Sequence, residues 1–234
     1  MVKKMVLALL IAATAAGGAF AQASLSAGFG GTFRANFSSY AWTSDGKDYL
    51  DAYGYDKDFM NTNRIGGGFF AFFDASYVAL SLGMGIHDIS PANSDAKKAM
   101  KDAKQSVTFT TLDIGVLGKI PIDLGGFTLF PALGVDFRIP LDYVVKQDGT
   151  KSKWSDGGND ESITKWMTEI WFKLGIGADI PLGEKLYLRP MFLYGIGTLS
   201  KTDKETSDYY NESTKYFTQI NHGFDLNIAL GFKF

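Results

Sequence analysis

Beyond its first two dozen residues, the chain is written in a two-residue period. The stretch ending at Phe234 shows it most plainly. There Phe224, Leu226, Ile228, Leu230, Phe232 and Phe234 alternate with Asp225, Asn227, Ala229, Gly231 and Lys233. Successive side chains of a β-strand point to opposite faces, so this pattern makes a strand with one apolar and one polar face. Between Lys165 and Ile180 the even positions carry Trp166, Ile170, Phe172, Leu174 and Ile176, while the odd positions hold every charge. From Phe127 to Ile139, Leu129, Leu133, Val135 and Phe137 alternate in the same way with Gly134, Asp136 and Arg138. Eight stretches read as strands: Ser24–Phe37, Arg64–Asp74, Tyr77–Ile86, Ser106–Ile120, Phe127–Ile139, Lys165–Ile180, Lys185–Leu199 and Thr218–Phe234.

The gaps between them alternate too. Ser38–Asn63, His87–Gln105, Pro140–Thr164 and Ser200–Phe217 are long and polar. Ala75-Ser76, Pro121–Gly126 and Pro181–Glu184 are tight turns. Long loops at one pole and short turns at the other define an up-and-down antiparallel barrel, and an even strand number returns both ends to the turn pole. A soluble barrel would show the same alternation with its apolar face inward. Two features oppose that reading. The strands reach the ~9–11 residues needed to cross a bilayer obliquely. The polar face is also dense in glycine, including Gly28, Gly30, Gly83, Gly85, Gly175, Gly177, Gly195 and Gly197, as a narrow interior requires to make room for long charged side chains. The predicted fold is all-β: a transmembrane up-and-down antiparallel β-barrel of eight strands, with four long external loops and three short periplasmic turns.

The first residues do not follow this pattern. Lys3 and Lys4 precede an apolar run from Met5 to Ala16, Gly17-Gly18 breaks it, and Ala19-Phe20-Ala21 offers small residues at a cleavage site. This is the plan of a secretory signal peptide. Residues 1–21 are expected to be removed by cleavage between Ala21 and Gln22, leaving residues 22–234 as one barrel domain. No later apolar run approaches the ~18 residues of a spanning helix. Twenty-three basic residues stand against 25 acidic ones, which leaves no basic stripe for phosphates and excludes a nucleic-acid partner. The chain has no cysteine, so disulfides, thiolate metal sites and a lipidated cysteine are excluded. No cofactor is called for.

On these residues the chain resembles the small eight-stranded outer-membrane proteins, the class that contains the transmembrane domain of outer membrane protein A. The resemblance runs from Ser24 to Phe234, and its most specific part is the alternation of Phe224–Phe234. It implies a bacterial outer-membrane location with outer-membrane lipid as solvent. It also implies that the barrel-assembly machinery reads the ending formed by Leu230, Phe232 and Phe234. The second strand fits least well, because Phe70 and Phe72 share parity with Arg64 and Asp74. Its facing stays open, with a local bulge as one explanation.

Parity assigns the candidate site. Arg34, Asp136, Arg138, Glu169, Lys173 and Asp225 face inward as a charged cluster, in company with Arg64, Asp74, Asp113, Lys119, Asp179, Arg189 and Lys233. Arg138 is expected to meet Glu169, and Arg34 to meet Asp225 where the first and last strands close the barrel. Balanced acids and bases in so narrow a barrel read as a salt-bridged plug rather than a pore lining. His87 and His222 are placed at the outer rim. Some barrels of this class are lipid-modifying enzymes with a histidine and a serine near that level, and His87-Asp88-Ile89-Ser90 is the nearest counterpart here. The first loop gathers five aspartates, two lysines, Tyr40, Trp42, Tyr49, Tyr53, Tyr55 and Phe59. These aromatics suit either recognition of an extracellular ligand or packing over the barrel mouth. Asp156-Gly157-Gly158-Asn159-Asp160-Glu161 is oxygen-rich but lacks calcium-loop spacing. The favoured role is a surface protein presenting loops. A narrow channel is the alternative, and a lipid-modifying enzyme the second.

Overall fold

The computed structural model describes residues 24–58, 60–153, 167–199 and 216–234. The expected cleavage point at Ala21 and Gln22, Phe59, and the oxygen-rich run 156–161 lie outside them. Eight long strands form the body: β1 (Leu25–Trp42), β2 (Thr62–Ala75), β3 (Val78–Pro91), β4 (Gln105–Lys119), β5 (Thr128–Gln147), β6 (Glu169–Pro181), β7 (Leu186–Leu199) and β8 (Phe217–Lys233). Each pairs antiparallel with its sequence neighbours. The ring closes where β1 meets β8, in a register running from Ser26–Lys233 to Trp42–Phe217. Closure leaves no edge strand in the ring of eight, which is the condition for a sheet to stand in hydrocarbon. No helix among the described residues is long and apolar enough to cross a membrane; strands make the crossing.

The outer surface is the apolar one. Phe29, Phe69, Leu133, Leu174 and Ile228 are each more than 60 % exposed, whereas Arg34, Arg138, Lys173 and Asp225 inside are 6 % exposed or less. An apolar exterior around a charged interior inverts the order of a soluble protein. With long loops at one pole and short turns at the other, this is the architecture of a bacterial outer-membrane barrel.

Local chemistry explains the connections. Ala75 pairs with Val78 across a two-residue turn whose first residue, Ser76, takes a left-handed φ of 53°. Three strands outrun the sequence reading: β1, β3 and β5 continue past Phe37, Ile86 and Ile139, so Tyr40 and Trp42 stand on β1 rather than in the first loop. Pro140 was expected to end the fifth strand, yet β5 runs on to Gln147. Thr110 and Thr111 of β4 face Asp142 and Pro140, so Leu141 is the extra residue of a bulge. A bulge is where a strand tolerates a proline without N–H. Beyond it, Asp148 and Gly149 both have positive φ. They turn the chain so that Thr150–Lys153 pairs with Val144–Gln147, as an Asp-Gly dipeptide favours. Two of the long loops also contain helices. In α1 (Ser44–Tyr53) the Thr43 side chain caps the start and Gly54, with φ of 69°, ends it. In α2 (Ser94–Asp102) Asn93 is the cap.

The doubtful facing of β2 is settled without a bulge. Its register to β1 and β3 is unbroken, and Phe70 and Phe72 point inward with Arg64 and Asp74 while Ile65, Phe69 and Phe73 face out. The inward glycines explain why rings fit there. A β-carbon on Gly28 would strike the Phe72 ring, one on Gly177 the Phe130 ring, one on Gly197 the Trp171 indole and one on Gly231 the Tyr187 ring, all at 2.1–2.8 Å. Interior aromatics therefore lie directly against glycine backbone. The glycines make room for rings as well as for charged chains.

Candidate functional site

The interior polar groups form two tiers. The tier near the turn pole holds Asp74, Lys119, Asp179 and Arg189. Asp74 meets Lys119 at 2.6 Å and Arg189 at 2.5 Å; Asp179 meets Arg189 at 2.5 Å and Lys119 at 3.7 Å. Aromatic faces surround the two cations: Arg189 lies 4.8 Å from the Phe72 ring, 5.0 Å from Tyr187 and 5.3 Å from Phe130, and Lys119 lies 4.8 Å from Phe130. Rings and carboxylates together replace the water these cations lose. The Tyr187 and Ser26 hydroxyls share a hydrogen bond of 2.8 Å beneath them, and Lys233 sits 5.7 Å from the same ring.

The tier nearer the loop pole contains all six residues of the expected cluster, plus Arg64 and Asp113. Arg34 pairs with Asp113, and its Nε lies 3.5 Å from Asp225, its register partner across the closing seam. Lys173 bridges Asp136 and Asp225, and Arg138 reaches Asp225 at 3.4 Å. Glu169 departs from expectation. It stands opposite Arg138 in the β5–β6 register, but its ion pair is with Arg64 of β2 at 2.6 Å, and it also accepts a 2.8 Å hydrogen bond from Trp171 Nε1. Arg138 instead stacks 4.2 Å over the Trp171 ring. Parity aims a side chain into the lumen, but the tilt of the barrel decides which distant strand it meets there.

Four cations thus face four carboxylates in the upper tier, and two face two in the lower. Each tier is neutral. Between them lies a cavity of about 60 Å³, lined by Phe70, Leu117, Met191 and Leu193 as well as charged groups from both tiers. At roughly 10–15 Å³ per water it has room for only a few molecules. Arg138, Trp171 and the paired carboxylates occupy the lumen above it.

The histidines separate. His222 faces outward and packs on Phe37 and Tyr194, with ring centres 5.5 and 6.2 Å apart. That is an interfacial aromatic site. His87 is not at the rim as expected. Because β3 continues to Pro91, His87 lies on the inner face and is 2 % exposed. Its Nε2 converges with Thr111 Oγ1 and Arg34 Nη1 over the backbone of Gly85. Ser90, three residues on, has the opposite parity. The two are not brought together. Among the described residues no group of three or more His, Cys, Asp or Glu side chains is arranged to hold a metal ion.

No known protein-family profile matches the chain, and no curated protein matches it. Several solved structures align along most of its length. The crystal structure of neisserial surface protein A shares 10 % identity over 88 % of this chain and 97 % of its own, with a TM-score of 0.44. A major outer membrane protein of Thermus thermophilus shares 12 % over 87 % and 99 %, at 0.40. The attachment invasion locus protein of Yersinia pestis shares 10 % over 91 % and 97 %, at 0.34. These superpositions are loose. The closed ring of eight strands and its apolar outer surface stand on this chain's own geometry.

Proposed function

We propose that this barrel is a closed scaffold in the outer membrane that holds four loops outside the cell and carries its function in them. Its turns and both chain ends then face the periplasm, and β8 offers Leu230, Phe232 and Phe234 on its outward edge to the assembly machinery. The observation that carries the reading is the neutrality of each interior tier. A conducting lumen needs a continuous wet path, and here ion pairs reach across it from wall to wall: Arg64 of β2 to Glu169 of β6, and Arg138 of β5 to Asp225 of β8. The loops supply what the lumen does not. Tyr49, Tyr53 and Tyr55 of the first loop form a cluster with ring centres 4.7 and 6.4 Å apart, and each ring remains about half exposed or more. Tyrosines held this way offer contact area at little entropic cost.

The narrow channel stays as the second reading, favoured by the cavity between the tiers. Planar-bilayer recording with the refolded full chain separates the two. The scaffold reading expects no stable open level. Long-lived, discrete openings in the unmodified protein would overturn it. The lipid-modifying alternative has less support, since His87 and Ser90 lie on opposite faces of β3.

A further inference from the structure

Among the described residues, the loop helices α1 and α2 lie on opposite walls of the barrel and carry opposite charge. Helix α1 sits over the β8–β1 seam: the Thr43 N–H and hydroxyl both donate to the Tyr216 carbonyl, at 2.9 and 3.1 Å, and Leu50 is buried beneath it. Residues 44–58 hold five aspartates against two lysines, all exposed. The Tyr49, Tyr53 and Tyr55 rings stand among them, and Tyr216 of β8's approach lies 6.1 Å from Tyr49. The other patch is built on the far side. Helix α2 packs on β3 and β4, and the Asp148-Gly149 hairpin extends β5. Lys104 meets Asp148 at 3.5 Å, linking helix and hairpin. Residues 94–104 hold four lysines against two aspartates, and residues 144–153 three against one. Lys97, Lys98, Lys101, Lys146 and Lys151 are exposed. In the ring of eight the β4–β5 pair is four strands from the β8–β1 pair, so the patches point in opposite directions in the plane of the membrane.

From this we infer that the protein associates with further copies of itself, head to tail. The acidic, tyrosine-rich patch on α1 of one copy receives the lysine patch on α2 and the β5 hairpin of the next. A second copy fits both surfaces at once. Its lysines meet aspartates, and their ammonium groups can rest over tyrosine faces, which attract cations. Each copy presents both patches at the same pole, and the membrane already aligns their axes. The contact is heterologous: the surface used on one side differs from that used on the other, so the product is a row or a ring rather than a closed two-fold pair. Single exposed ion pairs contribute little, so the association rests on several acting together and weakens as salt shortens their range. It does not depend on whether the lumen conducts.

The chain has no cysteine, so introduced thiols report cleanly. Two differently tagged variants, Asp48→Cys and Lys98→Cys, are co-expressed, and isolated outer membranes are oxidised at about 10 mM and at about 1 M salt, where the screening length falls from roughly 30 to 3 Å. Heat-modifiable mobility confirms that each variant is folded. The expected result is a mixed dimer joining residue 48 to residue 98, at least fivefold more abundant than either same-residue dimer at low salt and largely lost at high salt. A second pair makes the test independent of thiols. Asp45→Lys/Asp48→Lys/Asp51→Lys has two basic patches, and Lys97→Glu/Lys98→Glu/Lys101→Glu has a strongly acidic α2. Each alone should fail to associate, and the two together should associate. Absence of mixed dimers at low salt, predominance of same-residue dimers, or association of each charge-reversed variant on its own would overturn the inference. Conductance remains a separate measurement, so a failure here leaves the scaffold reading untouched.

Discussion

Asp225 is the keystone of the upper tier, and replacing it with asparagine tests whether interior neutrality stabilises the fold. The change keeps the side chain's shape and removes one charge. Asp225 is 2 % exposed and serves Lys173, Arg34 at 3.5 Å and Arg138 at 3.4 Å. After the change Arg34 keeps Asp113 and Lys173 keeps Asp136. Arg138 is left facing the Trp171 ring. Four cations then share three carboxylates in a tier shielded from bulk water. Removing one partner of a buried pair typically costs about 3–5 kcal/mol, chiefly from the charge left behind. With a urea slope of ~2 kcal/mol/M, the unfolding midpoint in lipid vesicles should fall by about 2 M. Asp51→Asn on exposed α1 is the control and should stay within about 0.5 kcal/mol of the unmodified chain. Adding Arg138→Met to Asp225→Asn restores the balance and should recover a substantial part of the loss. If Asp225→Asn unfolds at the same urea concentration as Asp51→Asn, the argument from charge balance is wrong.

Two further substitutions test the packing. Phe172 is 58 % exposed on the lipid face of β6, and Phe172→Arg should cost roughly 2–4 kcal/mol in lipid; an unchanged urea midpoint would show that residue 172 does not meet hydrocarbon. Gly197→Val places carbon where the Trp171 indole lies, 2.5–2.8 Å from its ring atoms. That overpacking should cost about 1–3 kcal/mol and alter the near-UV spectrum. Gly31→Ala, whose new carbon has its nearest neighbour at 3.8 Å, should do neither.

The sequence was most legible where chemistry is local. A two-residue period sets the face of each side chain, so strand number, lipid face and the inward set from Arg34 to Asp225 could be read residue by residue. Extent was harder to read. Above the apolar belt, outward residues need not be apolar, so β3 past Ile86 and β5 past Ile139 look like loop in the sequence although their backbones still pair. That is why His87 was placed at the rim when Gly83 and Gly85 already gave its parity. Pro140 pointed to a strand end because a bulge leaves no signature of its own in the sequence. Partner choice inside the lumen was illegible for a different reason. Glu169 finds Arg64, four strands away round the ring, through strand tilt, a property of the whole closed barrel. Phe70 and Phe72 break the apolar-out parity because the glycines facing them, Gly28 and Gly83, leave room for side chains inside.

Many ion pairs inside the barrel join strands that are not neighbours: β1 with β4, β2 with β6 and β7, β5 and β6 with β8. A growing sheet therefore gains hydrogen bonds with each hairpin, while some of its charges still lack partners. Arg138 waits for Asp225, which arrives on the last strand, 87 residues later. A barrel short of β8 would hold an excess of positive charge inside its spanning part, where unpaired charge is costly. The last strand thus completes more than the hydrogen-bonded ring: the upper tier becomes neutral only when β8 brings Asp225 to the cations already gathered there.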